Sequence, residues 1–329
     1  MNDLAPLLQS FFTDKMMLQR QASTHTIAAY RDTFKLLLGF ATRRTGRPPA
    51  RLSLADLDAP AIGAFLTHLE TQRGNSTATR NARLAAIRSF FRYAAHRAPD
   101  HAAVIQRVLA IPPKRFDRAI VSYLTQAESD ALIAAADRST WTGRRDHALL
   151  LVAVHTGLRV SELTGLRLQD VQLGVGAHLR CHGKGRKDRC TPLTTATAKV
   201  LRTWMRERGG QHADPLFPTR RGTALSRDAV QHLVAKHAKS AAVICPSLAA
   251  KHVTSHTLRH STAMALLHAG VDISVIALWL GHESTETTQI YLHADMTIKE
   301  RALARTAPAG SPPGRYNAPD TLLAFLDTL

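Results

Sequence analysis

Two adjacent prolines, Pro112 and Pro113 in "IPPKRFDRAIVSYLT", constrain this chain more than any other feature. A proline has no backbone N–H to donate and its ring blocks the preceding turn, so no helix runs through the pair. The stretch reads as a domain boundary. The 329 residues suffice for about two domains, each with its own core.

Before the prolines the pattern is helical throughout. "STHTIAAYRDTFKLLLGFATRRTG" spaces Ile27, Tyr30, Phe34, Leu37, Leu38 and Ala41 along one helix face, with Ser23 or Thr24 as cap and Gly46 and Pro48 as the stop. "SLADLDAPAIGAFLTHLETQRG" predicts a second helix ending at Gly74. "NSTATRNARLAAIRSFFRYAAHRAPD" predicts a third, with Leu84, Ile87, Phe90 and Phe91 on the core and Arg80, Arg83, Arg88 and Arg92 around the other side. A shorter helix covers about 101–110, and four such helices make a small bundle.

Beyond the prolines, Thr125 and Glu128 form a capping box at the start of a helix. "RRDHALLLVAVHTGLRVSELTGLRLQDV" reads as one buried helix, a turn at Gly157 and a second, short helix. The period then changes. "AHLRCHGKGRKDRCTPL" has strand-like flanks around a Gly-Lys-Gly-Arg turn and predicts a β-hairpin. Helices return over "TATAKVLRTWMRERGG", over "SRDAVQHLVAKHAKSAAV" with Ser226 as cap, from Ser255 to Gly270, from Asp272 to Gly281, and from Ser284 across Tyr291. The tail "TAPAGSPPGRYNAPD" has a linker's composition, and "TLLAFLDTL" ends the chain with a short apolar segment suited to docking on a neighbouring protomer.

The formal net charge is +18. Such self-repulsion opposes compaction, and the usual reason for it is a polyanionic partner. A genome rich in GC explains the excess of Arg over Lys but not the net charge. Nucleic acid is favoured over a membrane surface, because no long basic amphipathic stretch stands out and no apolar run reaches the roughly 18 residues of a membrane span. The opening "MNDLAPLLQSFFTDK" lacks the layout of a signal peptide, so a cytoplasmic protein is expected. Cys181, Cys190 and Cys245 are too few for a disulfide framework, and with His182 they fit no standard zinc spacing.

Cleaving a phosphodiester needs a nucleophile, cations on the non-bridging oxygens and a proton for the leaving oxygen. A metal supplies much of this but requires carboxylates, and no Asp/Glu cluster has metal-site spacing. Guanidinium forks, imidazoles and an amine serve instead in a metal-free site. The second half carries those groups: Arg159 in "HTGLRVSEL", Lys184 in "GKGRKDR", His256 and Arg259 in "HTLRH", His282 after Gly281, and Tyr291 in "LGHESTETTQIYLH".

These four pieces, in this order and spacing, resemble the tyrosine recombinases, also called phage integrase-like recombinases. The resemblance runs from about residue 5 to about residue 305 and is close to the Xer-like branch in size and layout. It implies a mainly α fold. An N-terminal four-helix core-binding (SAM-like) domain would occupy 1–111, a linker 112–119, and an α+β catalytic domain with a small antiparallel sheet 120–305, followed by a flexible linker and docking segment over 306–329. The two domains would close round a duplex like a clamp.

For the site, the resemblance implies that Tyr291 attacks the scissile phosphate and forms a 3′-phosphotyrosyl link. Arg159 and Arg259 would clamp the non-bridging oxygens, and Lys184 would protonate the leaving 5′-oxygen. His256 would help accept the tyrosine proton and donate to the phosphate, and His282 would hydrogen-bond the phosphate. No metal, cofactor or ATP is implied. The partners implied are double-stranded DNA at specific sites, a homo-tetramer on paired sites and, in some settings, a second recombinase.

Blander readings stand beside these. Tyr291 is also a plausible core aromatic, His256 a helix-start packing residue, and His282 part of a helix C-cap. Lys187 competes with Lys184 as the acting amine. His155, His260 and His293 are read as structural or surface residues, and Glu162 and Asp188 as buttresses for arginines. Arg80, Arg83, Arg88, Lys114 and Arg115 are candidates for phosphate contacts; the alternative for them is a solvated face. A type IB topoisomerase shares the tyrosine chemistry, and a non-catalytic DNA-binding regulator shares the charge. The tail leans the reading towards integration, excision or transposition of a mobile element, with Xer-type chromosome or plasmid dimer resolution as the alternative role.

Overall fold

The structure, a computed structural model, describes residues 4–115, 121–182, 188–282 and 288–291. The chain separates into two compact units, 1–118 and 119–329.

The first unit is helical. It opens with α1 (Leu4–Ser10), which runs on as a π-helical stretch, Phe11–Gln19. Sequence periodicity does not reveal this segment, because a π turn adds a residue and shifts the apolar positions out of helical phase. Its Phe11 is nevertheless central. The ring is fully buried and meets Phe34, Phe90 and Tyr93 edge-on, with centroids 5.6–6.2 Å apart.

The expected helices then follow. They are α2 (Thr24–Thr45), capped by Ser23 and stopped by Gly46 in the left-handed region, α3 (Ala59–Thr71), α4 (Thr77–Ala95) and α5 (Ala102–Leu109). Leu84, Ile87, Phe90 and Phe91 of α4 are buried, as the spacing predicts.

Arg80 departs from the expected exposed face. It is 8 % exposed, and its Nη1 donates to Asn81 Oδ1 and to the Pro112 carbonyl. The reason is tertiary. The chain leaving α5 folds back over the start of α4, where Asn81 brackets the backbone N–H and carbonyl of Lys114. The Lys114 ammonium in turn meets Glu70 at 2.8 Å. Residues 112–115 are thus held to the first unit by hydrogen bonds.

In the second unit, α6 (Gln126–Ala134) starts at the Thr125–Glu128 capping box. The central element is α7 (Trp141–Thr156), buried on nearly every face and packed against α6, α9 and α11. Its apolar run from Ala148 to Val154 sits inside the core, and the polar Arg145 and Asp146 are buried as an ion pair. Gly157 ends it at φ 63°, and α8 (Val160–Gly165) begins two residues after the turn.

The sheet is antiparallel in the order β1 (Val171–Gln172), β2 (His178–His182), β3 (Asp188–Pro192). The predicted hairpin is β2–β3. Cys181 pairs across it with Arg189 rather than with Cys190. The rest of the unit is α9 (Thr195–Arg208), α10 (Arg227–Ala241), α11 (Ser255–His268) and α12 (Ile273–Leu280). A helical piece over 288–291 carries Tyr291. The molecule is therefore mainly α with one small antiparallel sheet. Among the described residues no helix is long and apolar enough to cross a membrane. The docking segment at 306–329 lies outside the described residues.

Candidate active site

Helix ends build this site. Gly157 closes α7 and Gly281 closes α12, both in the left-handed region. Carbonyls at a helix C-terminus lack partners within the helix and lie at the negative end of its dipole, so cations are drawn to them. Two guanidinium groups answer. Arg259, on α11, donates from Nη1 to the Gly157 carbonyl at 2.7 Å and from Nη2 to the Leu280 carbonyl at 2.6 Å. Arg159, at the N-cap of α8, donates from Nη2 to the Gly281 carbonyl at 2.8 Å. Gly157 has little room for a side chain. A Cβ there would lie 2.7 Å from Leu280 Cδ2, at a φ that other residues avoid.

A third guanidinium, Arg189 on β3, is one that sequence reasoning missed. It forms a two-pronged ion pair with Glu162 at 2.7 and 2.8 Å and donates to the Trp279 carbonyl. Glu162 also accepts from the backbone N–H and side chain of Arg159 at 2.8 and 3.0 Å. Burial alone would raise the Glu162 carboxyl, but the hydrogen bonds from Arg189 and Arg159 hold it below its ordinary value. The buttress expected of Glu162 is thus present. Asp188 sits opposite His182 at the end of the hairpin ladder and is exposed. Because Arg189 adjoins the hairpin tip, its ion pair ties the hairpin to α8. The tip itself, with Lys184 and Lys187, lies outside the described residues.

Charge does not balance within this cluster. Arg159, Arg189 and Arg259 surround the single carboxylate of Glu162, and among the described residues no carboxylate lies within ion-pair distance of Arg259. Arg259 is 4 % exposed. Burial, then the nearby charge of Arg159, pulls it down to about 10. It stays protonated at neutral pH, as a buried cation whose hydrogen bonds go to neutral carbonyls. An anion placed beside it would relieve the desolvation cost.

Tyr291 lies against this cluster with its ring 1 % exposed, among Ala263, Met264, Ile276 and Leu280. The core reading and the functional reading of this tyrosine are therefore not alternatives. The ring packs, and its hydroxyl lies 2.9 Å from Nδ1 of His260. Burial raises the phenol above its ordinary value, against the opposing charge of Arg259.

His282 stacks beside the Tyr291 ring at 6.5 Å between centroids and 14° between planes, and its Nδ1 is 2.7 Å from Thr288 Oγ1. His256 is exposed at the first turn of α11, with its ring 6.4 Å from that of His260. Burial brings His260 and His282 each down to about 4, helped at His260 by His256 and Arg259 and at His282 by Arg259 and Arg159. Both are neutral at physiological pH.

The sequence-predicted residues Arg159, Arg259, His282 and Tyr291 thus converge, and His256 stands at the margin. His260, expected to be structural or at the surface, is the side chain that touches the tyrosine hydroxyl. A signal for it exists in "HTLRH", because His256 and His260 are four apart and share a helix face. Arg189 had no such signal, since its place depends on strand register. His155 is read as structural, and its Nδ1 lies 2.7 Å from Thr197 Oγ1. His293 lies outside the described residues.

In the first unit, Arg83 and Arg88 are half-buried. Arg83 Nη1, Arg88 Nε and Arg80 Nε are buried without a partner among the described residues. Burial lowers the Arg83 guanidinium, helped by neighbouring Arg73. Lys114 and Arg115 are exposed.

Residues 122–297 match the Phage integrase family, and residues 10–98 match the phage integrase N-terminal SAM-like domain. The chain is 59 % identical over 328 residues, covering 99 % of this chain and 98 % of the relative, to the putative integrase/recombinase y4rC of Sinorhizobium fredii. It is 33 % identical over 301 residues, 89 % of this chain and 93 % of the relative, to tyrosine recombinase XerC of Pelobacter propionicus. The crystal structure of the XerH site-specific recombinase bound to palindromic difH substrate, a post-cleavage complex, shares the fold. Its TM-score is 0.66 at 21 % identity, over 88 % of this chain and 82 % of that one. With both halves matched and relatives aligned along nearly its whole length, the chain belongs to the phage integrase family of tyrosine recombinases.

Proposed function

We propose that this recombinase cuts and rejoins duplex DNA at specific sites through a 3′-phosphotyrosyl intermediate on Tyr291, without metal or ATP. The observation that carries the reading is the convergence of a tyrosine hydroxyl with two guanidinium groups, one of which, Arg259, is buried with no carboxylate within ion-pair distance among the described residues. A phosphodiester supplies the missing anion. Arg159 and Arg259 clamp its non-bridging oxygens, and His256 and His282 donate to them. The Tyr291 oxygen attacks phosphorus, and the bond to the 5′-oxygen breaks. Lys184 protonates that oxygen, with Lys187 as the other amine of the hairpin. The bond energy is kept in the phosphotyrosine, and a 5′-hydroxyl from the partner strand reverses the step. The Tyr291 ring is buried against the core and its hydroxyl faces His260.

The α4 arginines Arg83 and Arg88, with Lys114 and Arg115, serve the phosphate backbone, and Arg80 supports them by ordering the 112–114 crossing. Four protomers on two paired sites exchange strands through a Holliday junction in the cytoplasm, in some settings with a second recombinase. The segment 306–329 docks on a neighbouring protomer. The similarity to a putative integrase/recombinase along the whole chain supports a role in mobile-element integration, excision or transposition. The similarity to XerC supports dimer resolution as the second reading.

Covalent trapping tests the chemistry. Nicked duplexes from the DNA flanking the gene are incubated with the protein in chelator, then denatured. An adduct on one sequence, absent with Tyr291→Phe, is the expected result. An adduct that persists with Tyr291→Phe removes this tyrosine as the nucleophile.

A further inference from the structure

We infer that His260 is the group that takes the proton from the Tyr291 hydroxyl when it attacks, and returns it when the strand is rejoined; the inference rests on Tyr291 being the nucleophile. The resemblance implies that His256 helps accept that proton, but the geometry points one helical turn further along α11. His260 Nδ1 lies 2.9 Å from the phenolic oxygen, within reach of direct transfer. The His256 ring is exposed and stands 6.4 Å from the His260 ring. The tyrosine and His260 rings are tilted 63° to each other with centroids 5.5 Å apart.

The electrostatics support the same assignment. His260 faces His256 and Arg259 from its own helix, His282 from the segment after α12, and the phenol of Tyr291. Burial first, then the neighbouring His256 and Arg259, keeps its imidazole neutral. With the proton on Nε2, Nδ1 has a lone pair free to accept the Tyr291 O–H. A base this weak suits the resting protein but not the reaction, because a general base works best near the working pH. The scissile phosphate brings the missing negative charge to Arg259 and Arg159. That charge raises His260 when substrate is bound and not before. In the step, the O–H bond of Tyr291 breaks and its proton goes to His260 Nδ1. The O–P bond forms as the P–O5′ bond breaks, and the 5′-oxygen takes a separate proton from the hairpin lysine.

The experiment measures single-turnover adduct formation on a nicked duplex of the trapped site, with full-length wild-type protein, His260→Ala, His260→Asn, His256→Ala, Lys184→Ala and Tyr291→Phe. Each is run across a pH range, on an ordinary phosphodiester and on a 5′-bridging phosphorothiolate. Sulfur leaves without a proton, so the second substrate separates loss of the acid from loss of the base.

The expected result is a drop of about 10²–10⁴-fold for His260→Ala on both substrates, as removal of a general base gives. The residual rate should rise with pH as the phenol ionises, and added imidazole should restore part of it. His260→Asn, which keeps a hydrogen-bonding oxygen near the Nδ1 position but cannot carry a proton at neutral pH, should fall as far. His256→Ala should lose less, and Lys184→Ala should recover on the phosphorothiolate. Wild-type rates in His260→Asn would reduce His260 to a tether and overturn the inference, as would a His256→Ala defect that alone shows the rising pH profile. An adduct dependent on Tyr291 but indifferent to His260 overturns the inference alone. An adduct that survives Tyr291→Phe overturns the proposed chemistry with it.

Discussion

The arginines of the two units are held in opposite ways. Arg159 and Arg259 each spend guanidinium hydrogens on helix-end carbonyls at 2.6–2.8 Å, and Arg159 is braced further by Glu162. Arg83 and Arg88 of α4 are half-buried with nitrogens that find no partner among the described residues. A guanidinium that must meet a transition state profits from being fixed in advance, because no reorganisation is then needed during reaction. One that neutralises a backbone phosphate needs only charge and reach. Fixed geometry at Arg159 and Arg259 and unpartnered guanidinium nitrogens at Arg83 and Arg88 are the division expected if the first pair does the chemistry and the second grips.

Substitutions can break that comparison. The largest effect is expected at Arg259. Arg259→Lys keeps the charge but cannot span the Gly157 and Leu280 carbonyls and the phosphate together. Single-turnover cleavage should fall about 10²–10³-fold, the scale of losing one positioned donor, with little change in DNA affinity. A loss confined to affinity would mean that Arg259 grips rather than catalyses.

Next comes Glu162→Gln, which leaves the Arg189 guanidinium buried with its ion pair broken. Removing one partner of a buried pair costs about 3–5 kcal/mol; Gln retains some hydrogen bonding, so the lower end is expected from urea unfolding. An unchanged unfolding midpoint would show that the network linking hairpin and α8 contributes nothing to stability.

A smaller effect is expected at Arg88→Gln and Arg83→Gln. Each should weaken DNA binding about equally across sequences and lower the slope of log affinity against log salt by about 1, while leaving the cleavage rate of bound DNA unchanged. A sequence-dependent loss would place these side chains on bases instead.

A separate test reads the pH dependence of stability. His260 and His282 bind a proton in the folded chain only near about 4. Unfolded imidazoles do so near about 6.5. Between those values the unfolded chain takes up more protons, so stability should fall as the pH drops through that window, with no further loss from these two groups below it. The Glu162 carboxyl, held below its ordinary value, keeps its contribution above the unfolded carboxyl range and loses it as the pH falls through the folded value. A urea midpoint that stays level from neutral pH to about 4.5 would show that the imidazoles are not held neutral by the fold.

Much of the fold was legible because its signals are local. Ser23, Ser76, Thr125 and Ser226 cap the helices they precede, and Gly46, Gly157 and Gly281 end theirs in the left-handed region. The first helical segment escaped notice because its π-helical course breaks the apolar period. At the site, motif spacing singled out Arg159, Arg259, His282 and Tyr291, which the fold brings together. It placed His256 in the site and read His260 as a structural or surface residue; both lie on one helix face, and only the fold decides which one meets the tyrosine.

By itself the sequence determined which residues pair with their near neighbours: caps, helix faces, the hairpin turn and the excess of positive charge. Each of these follows from backbone sterics or side-chain chemistry within a few residues. Only the tertiary structure decided what lies across from what. The crossing of residues 112–114 over α4 buried Arg80. The register of β3 carried Arg189 to Glu162. The packing of α11 against the segment bearing Tyr291 set His260, rather than His256, beside its hydroxyl. Those contacts join residues 27 to 33 positions apart, and the arginine contacts to the helix ends join residues more than 100 apart; no local pattern encodes them, because side chains so distant in sequence meet only once the whole core has closed.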